Sequence, residues 1–245
     1  MALIVACTVA MIAGVIKGVV GFAMPTIILS GLSMFLAPDI ALAGLIVPTL
    51  VTNIFQAMRQ GPAAVVSSVK KFRVFLLVGF VALICSAQMV RMLPLPVMFL
   101  MIGIPIAGFA AFQLAGYRFR SVRQTRRLDA VVGGFVGMIG GLSGIWGPPT
   151  VAYLTALNTP RHDQMRAQGV IYGGGAIALF GAHLHSGVLH GQTLLLSAAL
   201  VPPALVGMWI SSRFLDMIDQ KTFGKLTLIF LLIAGANLIR RGLVG

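Results

Sequence analysis

Residues 137–153 read GMIGGLSGIWGPPTVAY. The stretch is apolar enough to lie in a bilayer, yet Gly137, Gly140, Gly141, Gly144 and Gly147 are followed by Pro148 and Pro149. Inside a helix each glycine costs about 1 kcal/mol relative to alanine, and each proline about 3. Hydrocarbon offers no water to the backbone groups that such breaks release. A break at membrane depth therefore has to be covered by protein or to line a cavity.

The rest of the chain sets this stretch in a membrane. Of its 245 residues 58% are hydrophobic and only 9% charged, with a mean hydropathy of +1.00; a soluble domain carries roughly 25% charged residues. The net charge of +13 does not indicate nucleic acid. The basic residues stand in short runs between apolar spans, as the positive-inside rule expects, and not on an aromatic-laced polar face. The acidic residues are Asp39, Asp129, Asp163, Asp216 and Asp219, each at or near the end of an apolar run. No carboxylate is thus placed for ion coupling at mid-span or for paired-carboxylate chemistry. Cys7 and Cys85 lie in separate apolar stretches, which gives neither a disulfide nor a metal site, and no cofactor is indicated. Cys7 follows a lipobox-like Ile4-Val5-Ala6 without a basic leader, so the start is read as mature protein.

Apolar runs long enough to cross a bilayer, about 20 residues, lie near 39–59, 72–92, 94–116, 165–185, 191–211 and 223–240. Two longer segments, 2–36 and 128–157, are each interrupted by Gly and Pro. They match one another. At an offset of 123, Gly14, Gly18, Gly21 and Pro25 fall on Gly137, Gly141, Gly144 and Pro148. Pro38 and Pro160 each precede the next span, Gly61 and Gly187 follow it, and Arg91 and Arg213 close the span after that. The same landmarks in the same order indicate an internal repeat, with copies at 1–122 and 123–245.

Charge then favours hairpins. If 2–36 and 128–157 enter and leave on one side, each copy crosses three times and the second copy is inverted. Arg59, Lys70, Lys71, Arg73, Arg118, Arg120, Arg123, Arg126, Arg127, Arg161, Arg166, Arg213, Lys221 and Lys225 then share the inner face, as the positive-inside rule asks. Only Arg91, Arg240 and Arg241 fall outside. The expected fold is an all-α polytopic membrane protein of two inverted repeats. Each consists of a re-entrant or discontinuous helical segment and three transmembrane helices.

Inverted repeats with broken segments at matching positions point to a secondary transporter with its site near the midplane. Released amides and helix N-termini there suit an anion. Lys17 agrees in sign: it is the one basic residue deep in an apolar segment, and its counterpart is Gly140. A charge at membrane depth marks function or snorkels to an interface. The expected substrate-binding residues are Lys17, Gly18 and Gly21 at the first break, and Ser143, Gly144 and Trp146 at the second. Asn53 and Gln56, three apart on one helix face, and Tyr172 ahead of Gly173-Gly174-Gly175 complete the set. The glycines are expected to let backbone approach the anion. Ser143 satisfying a freed carbonyl, and Trp146, Asn53, Gln56 and Tyr172 serving packing or interhelical bonds, are the structural alternatives. His183, His185 and His190 cluster at one span end, where interface placement explains them better than metal binding.

The pattern G-x-x-x-G-x-x-G-x-x-x-P in both halves, Gly14 to Pro25 and Gly137 to Pro148, with Pro38 or Pro160 ahead of a span and a basic loop between halves, resembles the TauE/SafE group of membrane permeases. The resemblance implies outward movement of sulfur-containing anions, among them sulfite and sulfonates such as sulfoacetate, across the bacterial inner membrane. Its partners are a small anion and the bilayer, and a homodimer is compatible with it. This chain departs from the family's more Gly-rich first motif with Phe22-Ala23-Met24 after Gly21. A rival reading takes Gly141-Leu142-Ser143-Gly144 with His183 as a rhomboid-like serine protease dyad. It lacks that family's Trp-Arg and HxxxN motifs. Moreover, the glycine frame of Ser143 recurs around Val20, where no nucleophile exists.

Overall fold

The computed structural model describes residues 2–32, 34–87, 95–116, 122–143, 146–185, 188–217 and 219–244. All of its regular structure is helical: α1 (Ala2–Val20), α2 (Met24–Leu32), α3 (Pro38–Met58), α4 (Pro62–Lys71), α5 (Arg73–Ala87), α6 (Leu95–Leu114), α7 (Arg126–Ser143), α8 (Gly147–Ala156), α9 (Arg161–His185), α10 (Gly191–Ala199), α11 (Val201–Met217) and α12 (Gln220–Val244). Among the described residues four stretches are long and apolar enough to cross a membrane: Ala2–Val20, Ile40–Met58, Gly191–Ser211 and Lys221–Val244. The chain is a multi-pass α-helical membrane protein. α4 is an addition to the elements expected from sequence. The span expected at 191–211 is divided at Leu200, because Pro202 and Pro203 have no N–H with which to continue the ladder.

Two compact units form, Met1–Val65 with Met165–Asp219 and Val66–Gln164 with Gln220–Gly245. Neither coincides with a sequence half; each joins a broken segment to helices from both halves.

In the first unit α1 and α2 form a hairpin. Gly31 of α2 packs on Val9 of α1, so the chain returns toward the end it started from. α2 and α3 are antiparallel in turn, with Thr52 beside Met24 and Leu32 beside Gly44. The first break therefore lies level with the last turns of α3, where Gln56 reaches Gly21. α1 runs along α11 at very short range. A Cβ on Gly14 would strike the carbonyl of Ala204, and one on Gly207 the carbonyl of Met11. Pro48 sits inside α3 and cannot donate to the carbonyl of Gly44. Ser197 of α10 repairs the ladder, donating to Gly44 O at 3.2 Å and accepting from Val47 N at 3.1 Å.

The second unit repeats this plan with α7 and α8. Val122 N donates to Ala156 O at 3.2 Å, and Tyr153 donates to Asp129, so this segment too ends beside its own start. α7 runs along α5 as closely as α1 runs along α11. A Cβ on Gly137 would strike the carbonyl of Gly79, and one on Gly79 would come within 3.0 Å of the carbonyl of Gly133. Asp129 lies at a segment end, as expected, yet is only 4% exposed. Tyr153, stacked on Phe75 with centroids 5.6 Å apart, and Gln124 Nε2, at 3.0 and 3.2 Å from the two carboxylate oxygens, hold it. Its place in the first turn of α7 suits a negative charge. Tyr153→Phe keeps the stacking and removes one donor from this buried carboxylate. A loss of about 1–3 kcal/mol, read as a lowered unfolding temperature of the purified protein, is the expected result.

Candidate functional site

The first break gathers most of the buried polar side chains of its unit. Lys17, one turn before the end of α1, is 2% exposed. Its Nζ donates to Thr52 Oγ1 at 3.0 Å and to Asn53 Oδ1, both on α3 and both neutral. Thr52 can accept because its own hydroxyl hydrogen goes back to Pro48 O at 2.6 Å. The thioether of Met24, first residue of α2, lies 3.3 Å from the same hydroxyl. An ammonium has three N–H donors. Two are accounted for here, and neither acceptor neutralises the charge.

The backbone of the break is held by two amides. Gln56 Nε2 of α3 donates to Gly21 O at 3.3 Å and to Met165 O at 2.7 Å. Gln168 of α9, with its nitrogen turned toward the break, donates to Gly21 O at 3.0 Å and to Val20 O at 3.2 Å. That orientation follows from the two carbonyls, which need donors. These are the carbonyls that the end of α1 leaves without helical partners. Gly21 has φ +85° and Ala23 φ +75°, left-handed values that only glycine adopts freely. A Cβ on Gly21 would fall on the Gln168 amide. Two further buried polar atoms have no partner among the described residues, Thr49 Oγ1 and Gln56 Oε1.

The unit is closed at this end by arginines. Arg59 directly follows α3, Arg166 bonds to Gln60, and Arg213 stacks on Trp209 at 4.3 Å near the end of α11. α1 is parallel to α11, so Arg213 stands level with the break.

The structure brings together Lys17, Gly21, Asn53 and Gln56, four of the residues read from sequence as substrate-binding. Tyr172 is buried on α9, one turn beyond Gln168 and on the same face. Gly18 faces Ser211 of α11, so its missing side chain serves helix packing. Trp146 belongs to the second unit, where it packs on Gly140 and its carbonyl accepts from Thr150 Oγ1 at 2.8 Å. The side chain of Ser143 and all of Gly144 lie outside the described residues. Sequence reasoning missed Gln168, Thr49, Thr52 and Met24. Gln164 and Gln168, four apart at the head of an apolar span, carried the same signal as Asn53 and Gln56. Of the histidines, His190 caps α10 with Thr193.

No curated protein and no solved structure gave a significant match. The family described as Sulfite exporter TauE/SafE matches residues 6–238, nearly the whole chain and both broken segments. By that match the chain belongs to the TauE/SafE sulfite exporter family, a family of membrane transporters of the sulfur-anion exporter type.

Proposed function

We propose that this protein exports a small sulfur-containing anion, sulfite or a sulfonate, across the bacterial inner membrane by alternating access. The observation that carries the reading is Lys17: a buried amine on two neutral acceptors, beside a backbone break, in a chain of an anion-exporter family. A buried cation whose two partners are both neutral is costly and usually marks a pathway. The arginines at the same end give an anion a favourable approach. The amides of Gln56 and Gln168 relieve the break of its own carbonyls.

Alternating access by exchange of two equivalent halves draws support from the packing. Gly14 on α1 and Gly137 on α7 are equivalent by the offset of 123, and each presses its backbone on a helix of the opposite sequence half. Those partners, α11 and α5, are themselves the corresponding spans of the two copies. Both broken segments are hairpins, as the reading of the basic loops from the sequence requires. No carboxylate is required for export. A negative-inside potential favours anion exit by about 2.3 kcal/mol per charge per 100 mV.

Proteoliposomes loaded with sulfite, with a potassium diffusion potential across the membrane, test this. A uniporter carrying one charge is expected to shift the equilibrium distribution of its substrate about fiftyfold per 100 mV, the equivalent of that energy. Absence of protein-dependent flux of sulfite and of sulfonates would sink the proposal.

A further inference from the structure

Gln56 does more than hold the break. Its Nε2 faces two carbonyl oxygens, so the amide cannot be turned round without setting oxygen against oxygen. Oε1 is thereby fixed on the other side of the amide, where it is buried and no described residue donates to it. Gln56 as a whole is 2% exposed. A buried amide oxygen without a donor bears its full desolvation cost, and such atoms in proteins almost always have a partner. Three residues earlier on the same helix face, Asn53 holds the Lys17 amine. One short stretch of α3 therefore presents a cation and, a turn away, an unmatched acceptor.

These two groups ask different things of an oxyanion. A fully ionised one offers acceptors only: it suits Lys17 but sets lone pairs against Gln56 Oε1. An oxyanion that keeps one O–H suits both, accepting from Lys17 and donating to Gln56. We propose that Gln56 Oε1 selects singly charged oxyanions bearing one hydroxyl, so that the form of sulfite bound is hydrogensulfite, in preference to the dianion and to sulfonates without a hydroxyl. The inference rests on the reading of the Lys17 cluster as the substrate site. A site built to bond a substrate hydroxyl discriminates strongly against analogues lacking it, because its own polar group is then left unpaired.

Equilibrium titration of the purified full-length protein in detergent separates the cases. Sulfite and methanesulfonate are each titrated at pH values on both sides of the second ionisation of sulfurous acid. Methanesulfonate carries one charge and no hydroxyl throughout. Apparent sulfite affinity is expected to follow the protonated fraction, falling about tenfold per pH unit above that ionisation. Methanesulfonate is expected to bind about tenfold or more weakly than hydrogensulfite, an energy difference of at least about 1.4 kcal/mol. The described charged and histidine side chains on the elements around the site are Lys17 on α1, Arg59 at the end of α3, Arg161, His162, Asp163, Arg166, His183 and His185 on α9, and Arg213 on α11. Their titration would move both ligands together, so the ratio of the two affinities at each pH is the readout. In Gln56→Met that ratio is expected to collapse toward one. The substitution also removes one bond to the break and one to α9, so its fold is checked by thermal unfolding, and the wild-type ratio decides the matter even if the variant does not fold. Equal affinities for hydrogensulfite and methanesulfonate would mean that water satisfies Oε1, and would overturn the inference. Tighter binding of the dianion would overturn it as well. Binding of neither ligand at any pH would remove the substrate site itself, a different failure.

Discussion

Lys17→Met is expected to reduce sulfite flux in proteoliposomes by about a hundredfold or more while leaving the unfolding temperature within a few degrees of wild type. Methionine is one atom shorter than lysine but keeps its unbranched apolar stem, so the packing of α1 at this point is expected to survive. What disappears is a charged donor, and hydrogen bonds from charged groups contribute about 1.5–3 kcal/mol. The upper end of that range corresponds to more than a hundredfold in affinity. Stability responds differently. Asn53 Oδ1 and Thr52 Oγ1 lose their partner, at about 1–3 kcal/mol for an unpaired buried polar group, but the cost of holding a buried charge disappears too. The two effects oppose one another. Lys17→Arg keeps the charge yet brings a planar fork to a place where a compact ammonium meets Thr52 and Asn53, so partial flux with a raised KM is expected. Wild-type flux and KM in Lys17→Met would show that the amine only ties α1 to α3.

Much of the fold could be read in the residues, and for a physical reason. In an apolar sequence, glycine, proline and charge are the only strong local signals, and they mark breaks, hairpins and membrane faces. The two broken segments, their return on themselves and the gathering of Lys17, Asn53 and Gln56 all follow from such marks. Lys17 needed a polar partner, and a polar pair on a neighbouring span was the natural source. The rest depends on pairings across long sequence distances. Gln168 meets Gly21 only once α9 is packed beside α1, and its polar spacing with Gln164 does not name that partner. The Ser197 repair of Pro48 links residues 150 apart. The glycines were legible as spacing but not as purpose. A four-residue glycine period serves either a close approach to a ligand or a close approach of helices, and at Gly14, Gly18 and Gly137 it is a helix that comes close. The division into compact units could not be read at all, because each hairpin docks on a span from the opposite half.

Gly14→Ala and Gly137→Ala are expected to be among the most disruptive single-methyl changes at the described glycines. In both, the new Cβ meets the main-chain carbonyl of a packed helix, Ala204 in one case and Gly79 in the other. A clashing side-chain tip can rotate away, but a backbone carbonyl moves only if the helix moves. Lipid also supplies no hydrophobic drive to press the helices together again, so close backbone packing is most of what holds them. Overpacking a well-fitted interior costs about 1–3 kcal/mol and occasionally more, and these sites belong at the top of that range because the obstacle is rigid. Gly173→Ala and Gly174→Ala supply the contrast. Both lie within α9 and a Cβ there meets nothing within 4 Å, so each should gain up to about 1 kcal/mol from helix propensity alone. Folded yield in the membrane and thermal unfolding in detergent read both pairs on one scale. The two disruptive variants are expected to fall together, since they stand at matching places in the sequence at an offset of 123. A tolerated Gly137→Ala beside a collapsed Gly14→Ala would mean that the α5–α7 contact is looser than the α1–α11 contact, and that the copies do not share one packing solution.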